Sequence, residues 1–200
     1  MCKREVKTMS KSRLEAFSDG IFAIIITIMV LELKVPATGA WSELIKPSFF
    51  ATLSAYLLSF LFVASFWISH HMIITPVKVV DKVLLWSNIG LLLPISLLPL
   101  VTAWHGRYPS ATAPSVCYLL IYVLSVLGLY ILGQVSLARV SPVQRTECYE
   151  TNKTRLWLVV FGLISLAVTF VIPLVSSVSV FIILIYWLRA SNQKDVRRKF

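Results

Sequence analysis

Five apolar runs, at 17–35, 49–71, 83–104, 113–138 and 156–188, decide what this 200-residue chain can fold into. A helix rises 1.5 Å per residue and the hydrocarbon core of a bilayer is about 30 Å thick, so about 20 apolar residues make one crossing. Backbone polar groups in lipid must be satisfied within the segment itself, which selects helices. The chain therefore reads as an all-α membrane protein. Its composition agrees, with 58% apolar residues, 14% charged residues and a mean hydropathy of +0.82. Spans of this length with short connections use up the chain, so residues 1–200 are expected to form a single transmembrane domain.

The last run is too long for one crossing and long enough for two short ones. Pro173, in FVIPLV, supplies the turn, because proline ends one helix and suits the first position of the next. The reading is six spans, at about 17–35, 49–71, 83–104, 113–138, 156–171 and 173–188. Pro94 and Pro99 should bend the third.

Orientation follows from the basic residues. With the N-terminus in the cytosol, only Lys34, Lys46 and Arg107 of the 19 Lys and Arg residues lie outside, so both termini are expected to be cytosolic. The net charge of +10 sits in the short connections, which marks topology and not a nucleic-acid footprint. Cys2, Cys117 and Cys148 have no metal or disulfide spacing. The basic start MCKREVK with PATGA downstream invites a signal-peptide reading. The apolar run is longer than such a segment, and Glu32 and Lys34 intervene. It reads as the first span. Trp41, Trp104 and Tyr108 on the outer side, and Trp86, Trp157, Tyr186 and Trp187 on the inner, stand where interfacial anchors belong.

The first span, RLEAFSDGIFAIIITIMVLEL over 13–33, carries the residues that need explaining. At 100° per residue Phe17, Gly20, Ile24, Thr27, Ile28 and Leu31 share one stripe, and Asp19 points elsewhere. Helix packing, lipid contact and pore lining all fit such a stripe. Asp19 at membrane depth reads as functional or paired. Alternatively, Ser18 or Asp19 caps a helix start. By topology the second span ends, and the third begins, at the same membrane level. A polar network of Arg13, Ser18, Asp19, His70 or His71, and Asn88 is therefore expected behind the first helix. Interfacial, solvated imidazoles are the simpler alternative for each histidine. Neighbouring His70 and His71 diverge on a helix with no carboxylate or thiol one turn on, so no metal site is expected. No nucleophile stands with a base, and no enzyme activity is expected.

The string Arg13, Phe17, Ser18, Asp19, Gly20 in R-x-x-x-F-S-D-G, followed by AIIITIMVLEL, resembles the first-helix signature of the transmembrane protein 175 family of potassium channels. FLFVASFWISHHMII is similar to the end of that family's second helix, and DKVLLWSNIGLLLPISLLPL to its third. The likeness covers residues 13–104. It implies a six-helix subunit without a P-loop or TVGYG filter, of the bacterial, single-unit form, assembled as a homotetramer around a pore lined by the first helices. It also implies an apolar constriction at Ile24 and Leu31 with Thr27 or Ile28 between them. Arg13, Phe17, Ser18 and Asp19 with a second-helix histidine would form the support.

The expectation is a potassium-selective channel of the plasma membrane, with lipid and potassium ions as its surroundings, no nucleic-acid partner and no cofactor beyond the permeant ion. A proton-coupled secondary transporter, a proton-conducting channel and a membrane scaffold without transport are the alternatives.

Overall fold

The structure is a computed structural model that describes residues 10–197, with side chains as far as residue 187. The described residues are helical throughout, apart from turns. Helix α1 spans Lys11–Leu31, and one 3₁₀ turn at Trp41–Glu43 leads to α2, Pro47–Ile74. Then come α3 (Lys82–Ser96), α4 (Leu98–Arg107), α5 (Thr112–Leu137), α6 (Pro142–Thr169) and α7 (Val175–Arg197).

Several boundaries have a local cause. Helix α1 opens after Ser10, so Ser18 and Asp19 lie about two turns inside it and neither caps its start. It stops at Leu31, ahead of the polar residues Glu32 and Lys34 and of Pro36, before which helical backbone is disfavoured. Prolines open α2 and α6, where the missing N–H costs no hydrogen bond. Asp81 caps α3, its Oδ1 accepting from the Leu84 amide at 3.0 Å.

Three features differ from the sequence reading. The third run does not merely bend: it breaks at Leu97 into α3 and α4, with Pro94 inside the first and Pro99 opening the second. Helix α6 begins at Pro142, well before the apolar stretch that starts at Leu156, so its first half is polar. Pro173 lies in the turn ahead of α7 instead of starting that helix.

By length and apolarity, α1, α2, the α3–α4 pair and α5 can each cross a membrane, and Val175–Trp187 forms a shorter apolar helix. The chain is a multi-pass membrane protein. Helix α5 is the central post, touching every helix from α2 to α7, while α1 packs on α2, α3 and α4. The core lies between α2 and α5, where the ring of Phe62 meets Tyr122 edge-on at 4.4 Å and Phe66 at 4.9 Å. Trp187 joins this cluster, 5.6 Å from Phe66 and 6.0 Å from Phe62, so it packs against the core. Gly128 permits the tight contact of α5 with α3: a Cβ there would stand 2.9 Å from the Leu91 Cα.

Candidate functional site: the two faces of the first helix

One face of α1 is built into the protein. Leu14, Ser18, Phe22, Ile25 and Met29 recur at three- and four-residue intervals and are all buried. The other face is uncovered. Ile24 is 57% exposed, Ile28 43% and Leu31 76%, and Phe17, Gly20 and Thr27 on the same side are exposed as well. The stripe marked by periodicity is thus turned away from the other described residues. Thr27 donates its hydroxyl hydrogen back to the carbonyls of Ala23 (3.0 Å) and Ile24 (2.9 Å), which leaves oxygen lone pairs facing outward.

Behind the helix, Ser18, Asn88 and His70 are brought together and buried. The Asn88 amide donates from Nδ2 to Ser18 Oγ at 3.0 Å, and Ser18 donates in turn to the Leu14 carbonyl at 2.9 Å. Asn88 Oδ1 lies 2.7 Å from His70 Nε2, so that ring nitrogen carries the proton and donates. The chain of donors runs in one direction across α2, α3 and α1 and satisfies each polar group it passes. The ring of Phe22 stands 5.7 Å from that of His70.

The remaining expected members of the network stand apart from this triad. Asp19 Oδ1 accepts from Trp67 Nε1 at 2.8 Å on the exposed side of the α1–α2 contact. His71 is exposed and stacks against Trp67 at 6.3 Å. The Arg13 side chain is exposed, with no hydrogen bond or ion pair among the described residues.

Two polar assemblies escaped the sequence reading. At one end of the bundle, His105 Nε2 lies 2.7 Å from Ser177 Oγ, its Nδ1 lies 3.2 Å from Ser115 Oγ, and its ring stacks on Tyr118 at 4.5 Å. Tyr118 continues through Ser59 (3.2 Å) to Thr102 (2.9 Å). At the opposite end, Arg139 grips Asp81 through Nη2 (2.5 Å) and Nε (3.1 Å) and also donates to the Val135 carbonyl. The Arg139 guanidinium and the Leu84 amide hold the Asp81 carboxyl below the usual carboxylate range.

The family model described as the endosomal/lysosomal potassium channel TMEM175 matches residues 13–99. A protein named potassium channel from Chryseobacterium sp. (strain P1-3) is 36% identical over 183 residues, 90% of this chain and 93% of that one. One so named from Streptomyces collinus is 38% identical over 102 residues, 48% of each chain. The human protein named endosomal/lysosomal proton channel TMEM175 is 34% identical over 113 residues, which are 52% of this chain and 20% of that one. Among solved structures, the crystal structure of a lysosomal potassium-selective channel TMEM175 homolog from Chamaesiphon minutus superposes with a TM-score of 0.76 at 27% identity. The match covers 91% of this chain and 98% of that one. The full-length relative and the match over α1 to α3, where the two faces of the first helix are built, together place this chain in the TMEM175 family.

Proposed function

We propose that the chain is the subunit of a homotetrameric, potassium-selective channel of the plasma membrane, made of six membrane spans with both termini in the cytosol. The single observation that carries the reading is the uncovered apolar stripe of α1, in a chain whose full-length relative is named a potassium channel. One subunit offers one such stripe and cannot enclose a water path with it. Four copies around an axis supply a ring.

Rings of Ile24 and Leu31 form the constriction. An apolar ring of this kind blocks ions by excluding water, and rotation or splaying of α1 admits water and opens it. Thr27 and Ile28 flank the line from Ile24 to Leu31. If Thr27 faces the axis, its lone pairs replace part of a potassium ion's hydration; if Ile28 does, the middle of the pore is apolar. Ser18, Asn88 and His70 set the tilt of α1, and Asp19 with Trp67 sets its rotation against α2. Conduction is passive and needs neither catalysis nor a cofactor.

Flux in liposomes tests this. With the purified protein, potassium flux down a gradient is expected to be non-saturating, faster than sodium flux, and increased in Ile24→Asn. Unchanged flux in that variant removes Ile24 from the constriction. The vertebrate relatives named proton channels favour a second reading, in which the same pore passes protons. An internal pH dye in the same liposomes separates the two.

A further inference from the structure

A cavity of about 300 Å³ opens where the ends of α2 and α5 meet the polar first half of α6, away from the α1 stripe. Arg155 lines it and is only 5% exposed. A guanidinium has five N–H donors and keeps its charge at any ordinary pH. Here Nη1 donates to Asn152 Oδ1 at 3.2 Å, whereas the buried Nε has no partner. Among the described residues no carboxylate stands within ion-pairing distance of Arg155. A charge so far from water is costly unless a counter-charge and hydrogen bonds replace its hydration.

The surroundings make the mismatch specific to Arg155. Helix C-termini are weakly negative, and a buried cation beside them could draw on that. Those ends are already served: Lys11 Nζ donates to the Thr75 carbonyl, Arg139 to that of Val135, and Arg145 Nε to that of Leu137 at 3.1 Å. Asn152 spends its own amide hydrogen on the Tyr130 carbonyl at 3.1 Å. The cavity beside Arg155 is therefore where an anion fits.

The lining narrows its chemistry. Thr75 and Gln144 bring hydrogen-bonding groups, and Met72 and Val140 bring apolar surface. Glu147 also lines the cavity. Arg155 directly precedes the apolar stretch of α6, next to exposed Leu156 and Trp157, at the depth where a membrane keeps its headgroups. We propose that this cavity binds the phosphate of an anionic ligand through Arg155, supplied either by the headgroup of an acidic phospholipid or by free phosphate.

The test uses the full chain in detergent and reads binding without any current. Phosphatidylglycerol, phosphatidylcholine and inorganic phosphate are added in turn, and bound adducts are followed by native mass spectrometry beside the thermal midpoint. Phosphatidylglycerol is expected to remain bound and to raise the midpoint by about 3–5 °C near saturation. Phosphatidylcholine should do less, and both effects of phosphatidylglycerol should vanish in Arg155→Gln. Met72→Trp keeps the arginine but fills the cavity, so it decides the matter if Arg155→Gln does not fold. A midpoint shift with inorganic phosphate that displaces the lipid identifies free phosphate as the source. The proposal fails if phosphatidylglycerol and phosphate both leave the protein unmoved. It also fails if phosphatidylcholine binds equally well, or if binding survives in Met72→Trp.

Discussion

Ile24 and Ile25 are chemically identical neighbours on α1 with opposite fates, one 57% exposed and the other buried. Both faces of that helix are apolar, so hydrophobicity alone does not choose between them. What differs is the partner surface. The Ser18 face finds a matching amide in Asn88, which in turn finds His70, and the apolar residues above it fill the groove offered by α2, α3 and α4. Among the described residues, no neighbour answers the stripe on the opposite face. A small polar side chain with a buried partner therefore distinguishes two faces that hydrophobicity leaves equal.

The sharpest way to break this comparison is to truncate one residue on each face. Phe22→Ala on the built-in face should cost about 3–5 kcal/mol through lost packing and a cavity. Ile24→Ala should change monomer stability by about 0.5 kcal/mol or less. Denaturation in detergent measures both, and equal losses would mean that the two faces are not distinct. Next in size is Ser18→Leu, which leaves the Asn88 amide buried and unpaired. About 1–3 kcal/mol is expected, with partial recovery when Asn88 is made Leu as well.

Smaller effects separate Asp19 from this triad. Asp19→Asn keeps an oxygen for Trp67 Nε1 and should be close to neutral, while Asp19→Leu loses the bond and about 1 kcal/mol. Tryptophan fluorescence together with the thermal midpoint reads both. If Asp19→Asn alone dismantles the protein, charge and not the hydrogen bond is what α1 requires there.

The smallest effect belongs to Asp81, which lies on neither face and serves as a control. Its carboxyl is held below the ordinary value by Arg139, so its contribution is present above about pH 4 and disappears as pH falls through the depressed folded value. Asp81→Asn should be less stable than the parent at pH 7, and the gap should close in acid.

Much of this was legible in the residues. Apolar runs of membrane length announced the helical class, and 3.6-residue periodicity found the α1 stripe before any neighbour was known. Ser18 and Asn88 could be brought together from topology alone, because consecutive spans return to the same level. The choice between His70 and His71 could not, since adjacent residues diverge by 100° and only the rotation of α2 decides which points inward. His105 with Ser177, and Asp81 with Arg139, join residues separated by 72 and 58 positions. Each is an ordinary polar residue on its own stretch, and no local pattern flags it. The first half of α6 has no apolar run to mark it, because polar and charged residues form the helix there.

The break at Leu97 bears on how the chain is made. Past that residue α4 packs mainly on α2, a helix already synthesised, while α3 rests mainly on α5, which leaves the ribosome later. The third apolar run is therefore expected to complete its packing in two instalments, with the α5-facing side of α3 awaiting its partner until residues up to Leu137 have emerged. A nascent chain arrested between Arg107 and Leu137 should present that surface to insertion chaperones, and one arrested after α5 should not.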